Sequence, residues 1–284
     1  MRNISLVDET FDINITESYH LSVVVDEKGI SFVIMDTVRK KYIALKHITF
    51  EKSASTSLGE QISRLFRTDN YLSKPYKTTG LVYNTPNVTI VPNSIFDKSR
   101  REKLYNFSNK LPISHEILDE NIPCIDATVI FAIPSEVKDS LAAVNSNNFD
   151  ILNQSCAFIE NAFRKAKSKP EEHTVKARIY HNFFELAILH NNKLELYNTF
   201  KYRAIEDLIF YTLYAYEQFE LNPEKVSLNL SGDIEKDTEF AEKIIQFLPS
   251  VKFDKLSRNF TYSYTLGQID QHRFTNLIDI YPCV

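Results

Sequence analysis

Seven histidines, three cysteines and 37 carboxylates are the residues that could do chemistry in this 284-residue chain. A metal ion needs several such donors to converge. His181 and His190 bracket one apolar run nine residues apart, too far to share an ion unless the chain folds back. Cys124, Cys156 and Cys283 are scattered, odd in number and without a C-x-x-C pair, so neither zinc nor a disulfide framework is signalled. That cysteine usage fits a reducing compartment. His47 and Glu51 read as a polar surface pair. There is no G-x-S-x-G elbow to hold a nucleophilic serine in a strained turn. Glu206 and Asp207 are adjacent, so on a helix they point to different faces and cannot share a proton. Only 5 residues are glycine, far below the usual share of about 7%, which argues against a glycine-rich phosphate cradle. No catalytic residue and no metal ligand is assigned.

The elements that would position these groups follow from the apolar pattern. Hydrophobic residues make up 43% and charged residues 25%, with a formal charge of −4, the usage of an ordinary globular chain. The lack of excess positive charge argues against binding nucleic acid. The basic cluster Arg39-Lys40-Lys41 lies between two apolar runs and reads as a solvated turn. No apolar run reaches the length of a membrane span, and Met1 to Phe11 has no signal-like core, so a soluble cytoplasmic protein without membrane insertion is expected. Leu21 to Val25, Ile30 to Met35 and Tyr42 to Phe50 predict an antiparallel meander. Its first turn is Asp26-Glu27-Lys28-Gly29, where glycine can take a positive φ. Ser57-x-x-Glu60 has capping-box spacing and opens a helix that ends near Thr68. Tyr76 to Tyr83, Val88 to Val91 and Asp126 to Ile133 predict strands. Pro92 to Phe107, Ser135 to Val144 and Cys156 to Lys167 predict helical stretches, the first after a turn.

Lys165 to Glu172 is charged, contains Pro170 and reads as a linker. Beyond it the pattern restarts. Val175 to Tyr180, Phe183 to Leu189 and Lys193 to Tyr202 predict three more antiparallel strands, joined by turns at His181-Asn182 and Asn191-Asn192. Ala204 to Phe219 is a helix, Val226 to Leu230 a strand, Ser231-Gly232-Asp233 a turn, Asp237 to Leu248 a helix and Val251 to Leu256 a strand. Ile30 to Asp36 falls on Phe183 to His190, and Tyr42 to Phe50 on Leu194 to Tyr202. Three antiparallel strands followed by strand–helix alternation give a mixed sheet with helices on both faces. The fold class is therefore α/β, two ribonuclease-H-like halves in an actin-like arrangement around a cleft. The first half covers 1–168. The second covers 169–284 with a C-terminal return segment, and the halves join near Lys169. Ala204 to Phe219 is apolar nearly all round, which predicts burial between its sheet and the other half. The other reading is a docking surface for another protein, at Tyr211 and Tyr214.

LSVVVDEKGISFVIMDTVRKKYIALKHITF resembles the opening of a bacterial family of unknown function with the actin-like ATPase fold. VIFAIPSEVKDSLAAV is similar to the actin-like proteins of type IV pilus and type II secretion assembly, and QHRFTNLIDIYPCV fits the former family. The resemblance implies a cleft in which two hairpin turns, one per half, offer backbone N–H groups to the phosphates of ATP. Aspartates there organise magnesium, and a Gly-Gly turn packs on the adenosine. Carried over, the first turn supplies Asp26, Lys28 and Gly29, with Glu27 intervening. The second supplies Asn182 between His181 and Phe183, with neither glycine nor carboxylate. The third supplies Ser231, Gly232 and Asp233, with one glycine where two are usual.

The expectation is a non-catalytic pseudo-ATPase acting as a cytoplasmic interaction scaffold, with no cofactor and a protein partner that the sequence does not name. The alternative is a nucleotide-binding ATPase with divergent phosphate loops, holding ATP and magnesium. A third class, a sugar-kinase-like enzyme, needs intact phosphate turns beside a carboxylate base, and the second turn speaks against it.

Overall fold

Strands buried on both faces belong in the middle of a covered sheet, and several stretches of this chain meet that description. Tyr19–Asp26, Gly29–Asp36 and Phe183–His190 are buried at nearly every position. A computed structural model describes residues 3–51, 56–144, 150–167 and 170–281. The predicted junction at Lys169 and the cysteine at 283 lie outside the described residues.

The first half opens with β1 (Ile4–Val7), β2 (Tyr19–Asp26), β3 (Gly29–Asp36), β4 (Lys41–Thr49), α1 (Leu58–Thr68) and β5 (Thr78–Tyr83). Next come β6 (Val88–Pro92), α2 (Arg101–Ser108), β7 (His115–Ile122) and β8 (Ala127–Pro134). They are followed by α3 (Ser135–Val144), β9 (Ile151–Asn153) and α4 (Gln154–Ala166). The second half runs through β10 (Thr174–Ile179), β11 (Phe183–His190), β12 (Lys193–Lys201), α5 (Ile205–Gln218), β13 (Leu228–Gly232), α6 (Glu239–Phe247) and β14 (Val251–Phe253). The chain then returns through β15 (Thr261–Tyr262) and α7 (Thr275–Ile278).

One sheet has the order β1-β4-β3-β2-β5-β9, with β15 also on β4, and another has β12-β11-β10-β13-β14. The runs β4-β3-β2-β5-β9 and β12-β11-β10-β13-β14 match: three antiparallel strands, then two parallel ones. This is a mixed α/β fold in which β3 corresponds to β11 and β4 to β12, the pairing that the apolar pattern suggested. A third sheet, β6-β8-β7, is inserted between β5 and β9.

The covering helices are shared. α4 packs on β10 and β11 of the second sheet, although it precedes them, while α7 from the C-terminal return packs on β2 and β3 of the first. Phe158, Ile159 and Ala162 of α4 meet Ala187 and Leu189, and Leu277 and Ile278 of α7 meet Val24 and Val33. Burying each large apolar side chain contributes about 1.5–3 kcal/mol. α1 starts at the expected capping box: Ser57 Oγ accepts from Glu60 N–H at 3.3 Å, and the Glu60 carboxylate accepts from Ser57 N–H at 3.1 Å.

Some expectations are corrected. Ser231 and Gly232 continue strand β13, and the turn begins only at Asp233. α5 packs on its own sheet and on α6, and Phe210 and Tyr214 face solvent, so the other half does not cover it. β7 went unread because HEILDENI carries three acids and buries only Ile117 and Ile122. β1, β9 and β15 are too short, at four, three and two residues, to leave a periodic signal.

Candidate functional site

The ends of β2, β10 and β13 meet at one cavity of about 630 Å³ between the two sheets. Asp26, Glu27 and Lys28 of the β2–β3 hairpin line it, facing Tyr180 and His181 of the β10–β11 hairpin and Gly232 and Asp233 at the end of β13. The sequence thus placed Asp26, Lys28, Gly232 and Asp233 at one cleft. Gly29, Asn182 and Ser231 are not among its lining residues. Asn182 is exposed, with its carbonyl accepting from Tyr202 N–H at 3.1 Å. Ser231 is fully buried inside β13.

The first turn is internally satisfied. Asp26 Oδ1 accepts from Lys28 N–H at 2.8 Å and from Gly29 N–H at 3.1 Å. Burial pushes the Asp26 carboxyl above the usual carboxylate range, opposed by those two amides and by the side chain of Asn84. Gly29 has a structural reason of its own: a Cβ there would lie 2.4 Å from the carbonyl oxygen of Ile48 on β4. Gly232 likewise permits the strands to approach. Its φ is +96°, and a Cβ would lie 2.0 Å from the carbonyl oxygen of Ile179.

The second turn has a different build. Tyr180 N–H donates to the carbonyl of Phe183 at 2.9 Å, leaving His181 and Asn182 as the tip. Phe183 is buried and stacks on Tyr180 with ring centroids 4.4 Å apart. It is not among the residues that line the cleft. Arg273 closes the third corner, donating to Asp233 Oδ1 at 3.1 Å and to Glu235 Oε1 at 2.7 Å.

His47 was read as a surface residue, but it is 7% exposed and lines the cleft. Alternation explains this: Ser31 and His47 are direct cross-strand partners. Ser31 Oγ and His47 Nδ1 are 2.8 Å apart. Burial lowers the imidazole to about 4, so it is neutral at pH 7. A neutral imidazole beside a hydroxyl is the start of a nucleophile–base pair. Here Ser31 lies in a regular strand, and Thr49 Oγ1, 3.4 Å from Nε2, stands where a triad would place an orienting carboxylate.

Residues 8–251 match a family described as Protein of unknown function (DUF3822). The chain belongs to the DUF3822 family. No curated protein matches the sequence. Among solved structures the chain is similar to a protein of actin-like ATPase fold and unknown function from Bacteroides thetaiotaomicron VPI-5482. The TM-score is 0.75 at 20% identity, covering 92% of this chain and 100% of that one. It is also similar to a chain of the PilM-PilN type IV pilus biogenesis complex, with a TM-score of 0.61 at 11% identity, covering 93% and 98%. The ethanolamine utilization protein EutJ from Carboxydothermus hydrogenoformans gives a TM-score of 0.50 at 9% identity, covering 97% and 91%. At such identities the likeness establishes the actin-like ATPase fold and nothing finer.

Beneath the cleft this DUF3822 chain buries an ionic layer that sequence reasoning missed. Arg178 of β10 lines the cavity, is 1% exposed, and donates to Asp279 Oδ2 at 2.7 Å. Lys176 is 0% exposed, lies 3.2 Å from Asp254 and also meets Asn161 of α4. Asn161 donates to Asp279 Oδ1 at 2.6 Å. Glu185 of β11 accepts from the hydroxyls of Tyr180 and Tyr197, each at 2.7 Å. The available signal was the charge at alternate positions of TVKARI, in a strand otherwise made for burial.

Proposed function

We propose that this DUF3822 protein is a non-catalytic actin-like protein that works as a cytoplasmic interaction scaffold. The supporting observation is the Asp26 carboxylate on the amides of Lys28 and Gly29. Those are the N–H groups that a phosphate would need at this bend, and a fixed carboxyl oxygen already takes them. Glu27 adds negative charge at the tip. The opposing turn brings His181 and Asn182, neither of them a carboxylate for magnesium. No helix among the described residues is long and apolar enough to cross a membrane.

A scaffold needs a face for a partner. Phe210 and Tyr214 of α5 are 62% and 52% exposed and stack on one another, with ring centroids 6.2 Å apart. Tyr211 is half-buried and stacks on Phe200 at 4.7 Å, so its part in a contact would be support. Aromatic residues are enriched at protein interfaces.

One observation favours a nucleotide-binding alternative: turns from both halves line a single cavity that also holds Lys28 and Arg273. A thermal-shift titration with Mg-ATP separates the two. A ligand at 100 times its Kd stabilises by about 2.7 kcal/mol, several degrees in Tm. The scaffold reading expects no shift at millimolar Mg-ATP. A saturable rise that Asp26→Ala abolishes would establish the alternative instead.

A further inference from the structure

We propose that His173, His190 and Glu195 bind a divalent transition-metal ion of the zinc class, at the end of the second sheet remote from the cleft. The strand register brings them together. β10 and β11 are antiparallel, with Thr174 opposite Leu189, so the next pair along is His173 opposite His190. The two imidazoles stack with centroids 4.0 Å apart and planes 14° apart. On the other side of β11, Ile188 pairs with Leu196 but Leu189 pairs with Leu194. That shift leaves Glu195 as the extra, unpaired residue of β12. A bulge of this kind turns a side chain out of the regular alternation. Here it brings the Glu195 carboxylate 3.7 Å from His173 Nε2 and 3.5 Å from His190 Nδ1.

The donor set fits that ion class. One ligand atom from each residue lies within 4.8 Å of the other two. Ligands on a tetrahedral zinc ion sit roughly 3.3 Å apart, since Zn–N and Zn–O bonds are about 2.0–2.2 Å. The three side chains are half-buried or exposed, so small side-chain rotations close the difference. Two imidazoles with one carboxylate suit zinc, nickel, cobalt or copper, whereas magnesium and calcium prefer all-oxygen sets. Three protein ligands leave a fourth position to water.

The location gives the ion a job. His173 immediately precedes β10, where the chain enters the second sheet. Asn191 and Asn192, both with positive φ, make the β11–β12 turn, and Asn191 N–H donates to the carbonyl of Pro170 at 2.8 Å. A metal on His173, His190 and Glu195 would pin the entering segment to that hairpin. It acts as a staple far from the cleft, independent of any nucleotide.

The test is isothermal titration of the full-length, tag-free protein with zinc chloride, and with magnesium chloride as the contrast. The expected result is one zinc per chain, no magnesium heat, and a higher Tm with zinc. His173→Gln, His190→Gln and Glu195→Gln should each weaken zinc at least tenfold and abolish the Tm rise, while His181→Gln in the cleft leaves both unchanged. Far-UV spectra and Tm in chelator confirm that each variant folds, and any two folded variants suffice. Absence of zinc binding, or affinity kept within twofold in the His173→Gln/His190→Gln double variant, overturns the proposal.

Discussion

β2 and β10 hold equivalent places in their sheets but bury opposite chemistry. Towards α7, β2 presents His20, Ser22 and Val24, and His20 is satisfied by the hydroxyls of Thr78 at 2.8 Å and Ser22 at 2.9 Å. Towards α4, β10 presents Lys176 and Arg178, answered by Asp254 and Asp279. The first sheet therefore meets its helix through non-directional apolar contact with Leu277 and Ile278. The second adds bonds of fixed geometry, Lys176 to Asn161 of α4 among them, to the contact of Phe158 and Ile159 with Ala187 and Leu189. Asp279, at the end of the helix that covers the first sheet, is held by Arg178 of the second and by Asn161 of α4. One carboxylate thus ties three elements, adding bonds of fixed geometry to the apolar packing of α4 on the second sheet.

The largest expected effect tests that tie. Asp279→Ala leaves Arg178 buried without its partner and should cost about 3–5 kcal/mol in urea unfolding. Replacing both, as Arg178→Met with Asp279→Leu, should recover most of that loss. A cost under about 1 kcal/mol for the single variant would mean that the junction does not depend on the pair.

The neutral strand has its own signature. Burial lowers His20 from 6.5 to about 4 in the folded chain. Between those values the unfolded chain binds a proton that the folded one refuses. Stability is therefore full above pH 6.5 and falls towards pH 4, by about 3 kcal/mol for this one group. His20→Gln should flatten that slope in denaturation curves taken across the window, and an unchanged slope would assign the acid sensitivity elsewhere.

The helices after the third strand of each half differ at their starts. α1 has the complete Ser57–Glu60 box, whereas α5 begins at Ala204, which lacks a capping side chain although its N–H donates to Asp207 at 3.2 Å. Ser57→Ala should cost about 1 kcal/mol, and Ala204→Ser should gain somewhat less, both measurable by thermal unfolding. Smallest of all, Phe210→Ser and Tyr214→Ser should move stability by under about 0.5 kcal/mol. If α5 is a docking face, the same variants reduce recovery of a partner from native lysate, and full recovery removes that face from consideration.

Much of the architecture was legible because burial on two faces leaves long apolar runs. Val23, Ile34, Leu186 and Ile188 could belong to little else. The capping box at Ser57 and the turn at Asn191-Asn192 were legible because each demands particular residue types at fixed, short spacing. The candidate site was legible only in part. Asp26 and Asp233 stood out as turn residues, but whether a turn's amides are free depends on where one carboxylate rotates. His47 was misread because its burial follows from its cross-strand pairing with Ser31 and its place in the cleft, which neighbours along the chain do not reveal. His173 and Glu195 carried no signal, since a ladder and a bulge bring them to His190.

The sequence by itself determined most strands, most helices and the order in which they repeat, since these depend on periods of two and 3.6 residues that neighbours along the chain reveal. Only the tertiary structure decided that α4 and α7 cross to cover each other's sheets, that Lys176 and Arg178 find Asp254 and Asp279, and that two hairpins face one cavity. Those outcomes join residues more than two hundred positions apart, as where the Tyr42 hydroxyl of β4 donates to the carbonyl of Ile278 on α7. Charges buried on a strand look like errors until the partner that neutralises them has been brought into contact.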